Sequence, residues 1–213
     1  MSLYTPAHFA ATERAAAARL IHDHPFATLV TPASPEPMIS HVPLLLVPGC
    51  EPHGELIGHV ARANPHWRHA AAAESIAIFH GPHAYVSPTW YARPAQAVPT
   101  WNYATVHAHA TMEVIDDPSE TRGILDALVD RFESTRQAPW SFAMPGRERD
   151  ALLGAIVAFR LRIHRIEAKF KLSQNRPAAD RERVATALES EGYAEAAAVA
   201  AWMRAYVDLT PER

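Results

Sequence analysis

Two stretches of this sequence carry residue types that could hold an anion. In Gly58-His-Val-Ala-Arg62-Ala-Asn64-Pro65-His66-Trp67-Arg68 a strand-like run leads straight into a helix start. Asn64 is a good N-cap, and Pro65 stands at the first helical position, where a missing N–H costs nothing. The next backbone N–H groups are then free donors, with the helix dipole behind them and Arg62 and Arg68 beside them. That makes an anion cradle without a glycine-rich loop; a capped helix whose arginines face solvent is the competing reading. The second stretch is Ala168-Lys-Phe-Lys-Leu-Ser-Gln-Asn175. Of the 20 lysines and arginines in the chain, only Lys169 and Lys171 are lysine. An ammonium is compact where a guanidinium is a planar fork, so the pair suggests a site that needs the former, with chance clustering as the alternative. In a continued strand Lys169, Lys171, Ser173 and Asn175 share one face, a polar row suited to a ligand with several acceptors.

Other chemistries find less in the sequence. The 13 histidines include the close pairs His22 and His24, His80 and His83, and His107 and His109. No carboxylate or third histidine falls at ligand spacing beside any pair, so no metal site is expected. No Gly-x-Ser-x-Gly elbow occurs to present a nucleophile, and no catalytic residue is assigned. The single cysteine, Cys50, lies in the turn-like Pro48-Gly-Cys-Glu-Pro52, which excludes an intrachain disulfide and a thiolate metal centre.

The elements that must position these residues read as follows. At 213 residues, 48% hydrophobic and 20% charged, the chain suits one globular domain over residues 1–213. A net charge of −3 gives no general attraction to nucleic acid or an anionic membrane. The apolar run Val42 to Val47 is too short to span a bilayer, and no signal peptide opens the chain, so a cytoplasmic protein is expected. Thr5-Pro6 reads as the start of a helix of about 15 residues ending near His22. Strands are expected at Phe26–Thr31, Pro37–Val47, Glu55–Arg62 and Ser75–His80, with a hairpin at Pro48-Gly49 and a short helix at Pro65–Ala73. From Ala104 to Val114 alternation is strict: the even-numbered positions should pack, and Thr105, His107, His109, Thr111 and Glu113 should be wet. Asp117-Pro118-Ser-Glu120 is a capping box opening a helix with the stripe Ile124, Leu125, Leu128, Val129 and Phe132. Thr135 to Arg149 is irregular. A late strand holds Val157, Phe159, Leu161 and Ile163, and helices follow near Ala178–Ser190 and Ala194–Val207. Short antiparallel strands with a late returning one predict an α+β, mainly antiparallel fold: a Greek-key barrel with peripheral helices.

Several separated motifs then coincide. Tyr4-Thr-Pro-Ala-His-Phe9, His59 to Arg68, Gly81-Pro-His-Ala-Tyr-Val-Ser-Pro-Thr-Trp-Tyr91, Val98-Pro-Thr-Trp-Asn-Tyr103 and Lys171-Leu-Ser-Gln-Asn-Arg176 resemble, nearly end to end, the PaiB-type FMN-binding negative transcriptional regulators. The resemblance implies the FMN-binding split-barrel fold, a homodimer and an FMN site at its interface. It further implies that Arg62, Asn64 and Trp67 hold the phosphate and that His41 lines the ring or ribityl chain. Trp101 and Asn102 would supply stacking and an amide, with Lys171 near the ring's N1 and C2 carbonyl edge. His59, Ser173, Gln174 and Asn175 complete the candidate cofactor contacts. A flavin-dependent redox or regulatory role follows, with a repressor acting without catalysis, or a haem-binding split-barrel protein, as alternatives. Direct DNA binding fits the family's name better than it fits this chain, because the candidate helices are alanine-rich or acidic.

Overall fold

The computed structural model describes residues 3–47, 49, 53–141 and 146–208; Cys50 and the Met144-Pro145 pair lie outside the described residues. Seven strands form one antiparallel sheet: β1 (Phe26–Thr31), β2 (Met38–Pro43), β3 (Leu45–Val47), β4 (Glu55–Ala61), β5 (Ser75–Val86), β6 (Thr100–Ile115) and β7 (Ile156–Lys171). Their order is β2-β1-β5-β6-β7-β4-β3. The helices are α1 (Arg14–Asp23), α2 (His66–Ala70), α3 (Pro118–Glu133), α4 (Gly146–Gly154), α5 (Ala178–Ser190) and α6 (Ala194–Asp208). This is the expected α+β, mainly antiparallel class. Among the described residues no helix is long and apolar enough to cross a membrane.

The chain divides into two compact units. Unit 1 holds Met1–Leu20, His80–Val106 and Glu167–Arg213; unit 2 holds Ile21–Phe79 and His107–Ile166.

In unit 2 the strand predicted over Pro37–Val47 is broken at Leu44, which is fully buried. Before the break β2 pairs with β1, Phe26 opposite Pro43; after it β3 pairs with β4, Leu45 opposite Ile57. The two ends of the strand order are therefore adjacent in the chain. That single-residue corner is how an open strand list becomes a barrel, and it explains why one long hairpin strand was expected. Gly58 makes the corner possible: a Cβ there would stand 2.7 Å from Leu44 Cδ2 and 3.1 Å from the Pro43 carbonyl oxygen. The apolar stripe of α3 behaves as predicted at Ile124 and Leu128, which pack with Ile57, Ile115 and Ala158, while Phe132 is exposed. Asp117 Oδ1 accepts the Glu120 N–H at 2.8 Å, as the capping box requires. The last residues of the irregular segment open α4. The predicted wet row of β6 fails at His109 and, in unit 1, at Thr105: both are buried. Strict alternation of small residues does not settle which face is covered when both are.

In unit 1 the predicted N-terminal helix is interrupted. A single turn at Ala7–Phe9 is followed by a bridge from Ala10 to Lys169, and the Ala11 N–H donates to the Ala168 carbonyl at 3.1 Å. Pairing with β7 takes the backbone donors that a continuous helix would have used, so α1 begins only at Arg14. β5 and β6 run further than expected, while α5 takes its predicted bounds and α6 starts where predicted. Phe170 is fully buried, with the rings of Trp202 at 5.3 Å and Tyr206 at 5.7 Å, both edge-on.

Candidate functional site

In unit 2 a cleft of about 480 Å³ is lined by Ser40, His41, His59 and Asn64, together with apolar residues of β2 and β4. Three predicted residues, His41, His59 and Asn64, are thus brought together. Asn64 is held in place by both ends of its amide. Its Oδ1 accepts the His66 N–H at 3.0 Å, and its Nδ2 donates to Ser40 Oγ at 3.0 Å. The Ser40 hydroxyl also shares a hydrogen bond with His66 Nδ1, 2.8 Å away. His66 Nε2 shares a hydrogen bond with Thr31 Oγ1 at 2.8 Å, and Thr31 meets Ser75 Oγ at 2.6 Å. Burial holds His66 below the ordinary histidine range, assisted by His69. Burial also lowers His59, whose Nδ1 is buried without a hydrogen-bond partner. His41 is exposed; its Nδ1 shares a hydrogen bond with Thr28 Oγ1 at 3.1 Å.

Arg62 is placed otherwise than the cradle reading supposed. Its Nε donates to the Gly154 carbonyl at 2.7 Å and its Nη2 to the Ile156 carbonyl at 2.8 Å, while its own N–H donates to Ala155 O at 2.8 Å. The guanidinium clamps the start of β7 and keeps Nη1 for another partner. The helix behind it is also shorter than expected, five residues, and its first N–H is already taken by Asn64. No helix-end anion site is left there. Trp67 Nε1 donates to Arg62 O at 3.3 Å, and Arg68 lies 4.9 Å over the Trp67 ring.

In unit 1 the lysine pair stands at the centre of a second constellation. Lys169, only 8% exposed, donates from Nζ to the Tyr4 carbonyl at 2.8 Å and lies over the Tyr4 and Tyr103 rings at 5.4 and 5.5 Å. Lys171 donates to Thr100 Oγ1 and to the Trp101 carbonyl, each at 2.6 Å. Burial, with the charges of Lys169 and Arg176, pushes the Lys171 ammonium below its ordinary value. Trp101 is 53% exposed, with His83 tilted at 6.3 Å and Tyr85 edge-on at 6.2 Å. Asn102 is fully buried; its Nδ2 donates to Ser173 Oγ at 3.0 Å and to Met203 Sδ at 3.4 Å. Ser173 adopts φ 66°, a left-handed conformation rare outside glycine, and that bend takes the polar row out of strand geometry. Gln174 spans the bend, accepting the Leu172 N–H at 2.7 Å and donating to Phe170 O at 2.5 Å. Asn175 is exposed. Asn102, Ser173 and Gln174 therefore shape the corner, while Lys171 and Trp101 present groups outward.

Sequence reasoning missed the Thr31, Ser40, His66, Ser75 relay. His66 sat inside the first stretch yet gave no signal, because its side-chain partners lie on two other segments. It also missed Glu74, whose carboxylate meets buried His109 and exposed His164, each at 3.1 Å. Those hydrogen bonds, His164's first, hold Glu74 below the usual carboxylate range. Among the described residues no three metal-ligating side chains converge.

Comparison with known proteins agrees with this geometry. Residues 3–165 match the family described as "Putative FMN-binding domain". The chain is 33% identical over 192 residues to Protease synthase and sporulation protein PAI 2 of Bacillus subtilis, covering 89% of this chain and 90% of that one. An uncharacterized protein of Aspergillus fumigatus is 31% identical over 224 residues, covering 82% and 86%. Two solved structures share the fold, each with a TM-score of 0.61. The FAD and heme binding protein of Mycobacterium smegmatis is 23% identical, covering 81% of this chain and 78% of its own. The flavocytochrome Anf3 of Azotobacter vinelandii is 15% identical, covering 76% and 69%. With the barrel corner at Leu44 and matches over most of its length, the chain belongs to the PaiB-type FMN-binding family of split-barrel proteins.

Proposed function

We propose that this chain binds FMN as a cytoplasmic homodimer and acts through the bound flavin. One observation carries the reading: although the net charge is −3, the cations at the motif positions have no carboxylate partner among the described residues. In unit 1 these are Lys169, Lys171 and Arg176, the last 4.6 Å over the Tyr91 ring; in unit 2 they are Arg62 and Arg68. FMN is a complementary ligand, with a dianionic phosphate, a ring edge of acceptors and broad apolar faces.

Within unit 1, Lys171 suits the N1 and C2 carbonyl edge and the exposed Trp101 suits a ring face. Within unit 2, Ser40, His41, His59 and Asn64 offer neutral donors and acceptors for ribityl hydroxyls. Arg62 Nη1 and Arg68 offer the charge for the phosphate. When bound, FMN supplies electron-transfer chemistry that no side chain here provides. The residues of the chain bind it, orient it and set the charge around it. Dimerisation is supported by Phe26 and Ile39, 66% and 55% exposed on the paired strands β1 and β2. The single cysteine suits a reducing compartment.

The Bacillus relative's name refers to protease synthase and sporulation. For this chain we favour regulation through bound flavin over direct reading of DNA, because α5 mixes Asp180 and Glu182 with Arg181 and Arg183. Titration of flavin-free protein with FMN tests the proposal. Saturable binding in the micromolar range, with a shift of the flavin absorbance bands, is the expected result; no binding in that range overturns it.

A further inference from the structure

We propose that the cleft between α5 and α6 binds a small monocarboxylate with an apolar body, its carboxylate held by the guanidinium of Arg181. The proposal lies within unit 1 and does not rest on the flavin reading. The cleft measures about 470 Å³, a volume ordinary for a small-ligand site. From α5 it is lined by Ala178, Arg181, Glu182 and Ala185, whose spacing places them on one helix face, with Ala179 beside them. From α6 come Met203 and Arg204. Alanine at 178, 179 and 185 is too short to fill the space between the helices. Ala185 and Met203 are buried, and Met203 Sδ accepts a hydrogen bond from Asn102 Nδ2 at 3.4 Å, so the apolar part of the wall is fixed.

The charges around the cleft are unevenly matched. Arg204 Nη1 donates to both carboxylate oxygens of Glu182 at 2.5 and 2.7 Å, while its Nε and Nη2 donate to Glu189 at 3.0 and 3.2 Å. One guanidinium thus takes up two carboxylates and ties α6 across two turns of α5. Arg181 has no hydrogen-bond or ion-pair partner among the described residues, and its Nε is buried. A buried guanidinium N–H without an acceptor loses its hydration and gains nothing in exchange. With the base of the fork set in protein, the Nη donors are the part left for a ligand.

The class of ligand follows from shape and charge. A planar guanidinium pairs with a carboxylate in a two-bond geometry that an amide oxygen cannot supply. Glu182, Glu189 and Arg204 together carry one negative charge in excess, so a singly charged ligand suits the cleft better than a phosphate dianion. Alanines and an adaptable methionine beside the cation call for an apolar body rather than a chain of hydroxyls.

The test uses the full chain without flavin, titrated calorimetrically at neutral pH with benzoate, benzamide and phenyl phosphate. Benzoate should bind saturably with a Kd of about 1 mM or tighter, and benzamide at least about tenfold more weakly. Phenyl phosphate should bind more weakly than benzoate. Arg181→Gln keeps a good helix former on α5 and should weaken benzoate about tenfold or more, with the melting temperature unchanged. Ala179→Leu, at an exposed position, should block the cleft and abolish benzoate binding without unfolding the chain. No saturation by about 10 mM benzoate overturns the proposal, as does benzamide or phenyl phosphate binding as tightly as benzoate. Unchanged benzoate affinity in either variant overturns it too. Neither variant alters a residue assigned to FMN, so failure here leaves the FMN titration standing, and failure of that titration leaves this one standing.

Discussion

The cleft of unit 2 and the basic corner of unit 1 both set polar side chains among apolar strands, and they manage charge in opposite ways. In the cleft, Ser75, Thr31, His66, Ser40 and Asn64 are joined in one chain of hydrogen bonds, and burial disfavours the charged forms of His66 and His59. In the corner, two ammoniums and Arg176 stand together with carbonyls, a hydroxyl and aromatic rings, but no carboxylate. A network of neutral groups that satisfy one another is complete as folded. A cluster of like charges is not, since each cation raises the cost of the next until an anion joins them. Changes in the cleft should therefore be felt as stability, and changes in the corner as ligand affinity.

That contrast can be broken most forcefully at Gly58. Gly58→Val forces side-chain atoms against Leu44 and the Pro43 carbonyl, and should cost about 3 kcal/mol or prevent folding. Chemical denaturation would show it.

His66→Leu comes next. Removing the imidazole takes one hydrogen-bond partner each from Thr31 and Ser40, which keep Ser75 and Asn64, and should cost about 1–2 kcal/mol. It also carries a pH signature. A histidine lowered from 6.5 in the folded state binds fewer protons than in the unfolded chain, so its contribution is present above that pH and lost as pH falls below it. The variant's stability profile should be flatter on the acid side of 6.5 than the parent's, with the His59 contribution remaining. A parallel profile would mean that burial does not lower this histidine.

Arg62→Ala sharpens the comparison because one residue serves both ends. Loss of its two bonds to the carbonyls around β7 should cost about 1–2 kcal/mol, and FMN should bind about tenfold more weakly. Full affinity in this variant would assign the phosphate to other cations.

These cases also show what the sequence could tell. β1 has the predicted bounds because a short β-branched run between prolines and polar turns admits little else. The Asp117 capping box works within four residues, so local spacing determined it. The corner at Leu44 did not show, since it depends on Gly58 and Phe159 approaching from distant segments. Arg62 was recognised as important, but its carbonyl partners lie more than 90 residues away, and no local pattern announces them. The lysine pair was legible from composition alone. What composition could not supply was the bend at Ser173, which takes Asn102 and Ser173 inward and leaves Lys171 with Trp101.

The most direct measurement is the reduction midpoint potential of bound FMN in the parent and in Lys171→Met. The substitution removes the charge and keeps an apolar side chain of similar length. A bound anion favours the ammonium form of Lys171, and that positive charge should stabilise the reduced ring, which carries more negative charge than the oxidised one. The account predicts a lower potential in the variant, by about 30 mV for each tenfold loss of preference for the two-electron reduced form. An unchanged potential with FMN still bound would contradict it and leave the lysine pair without a part in holding the flavin.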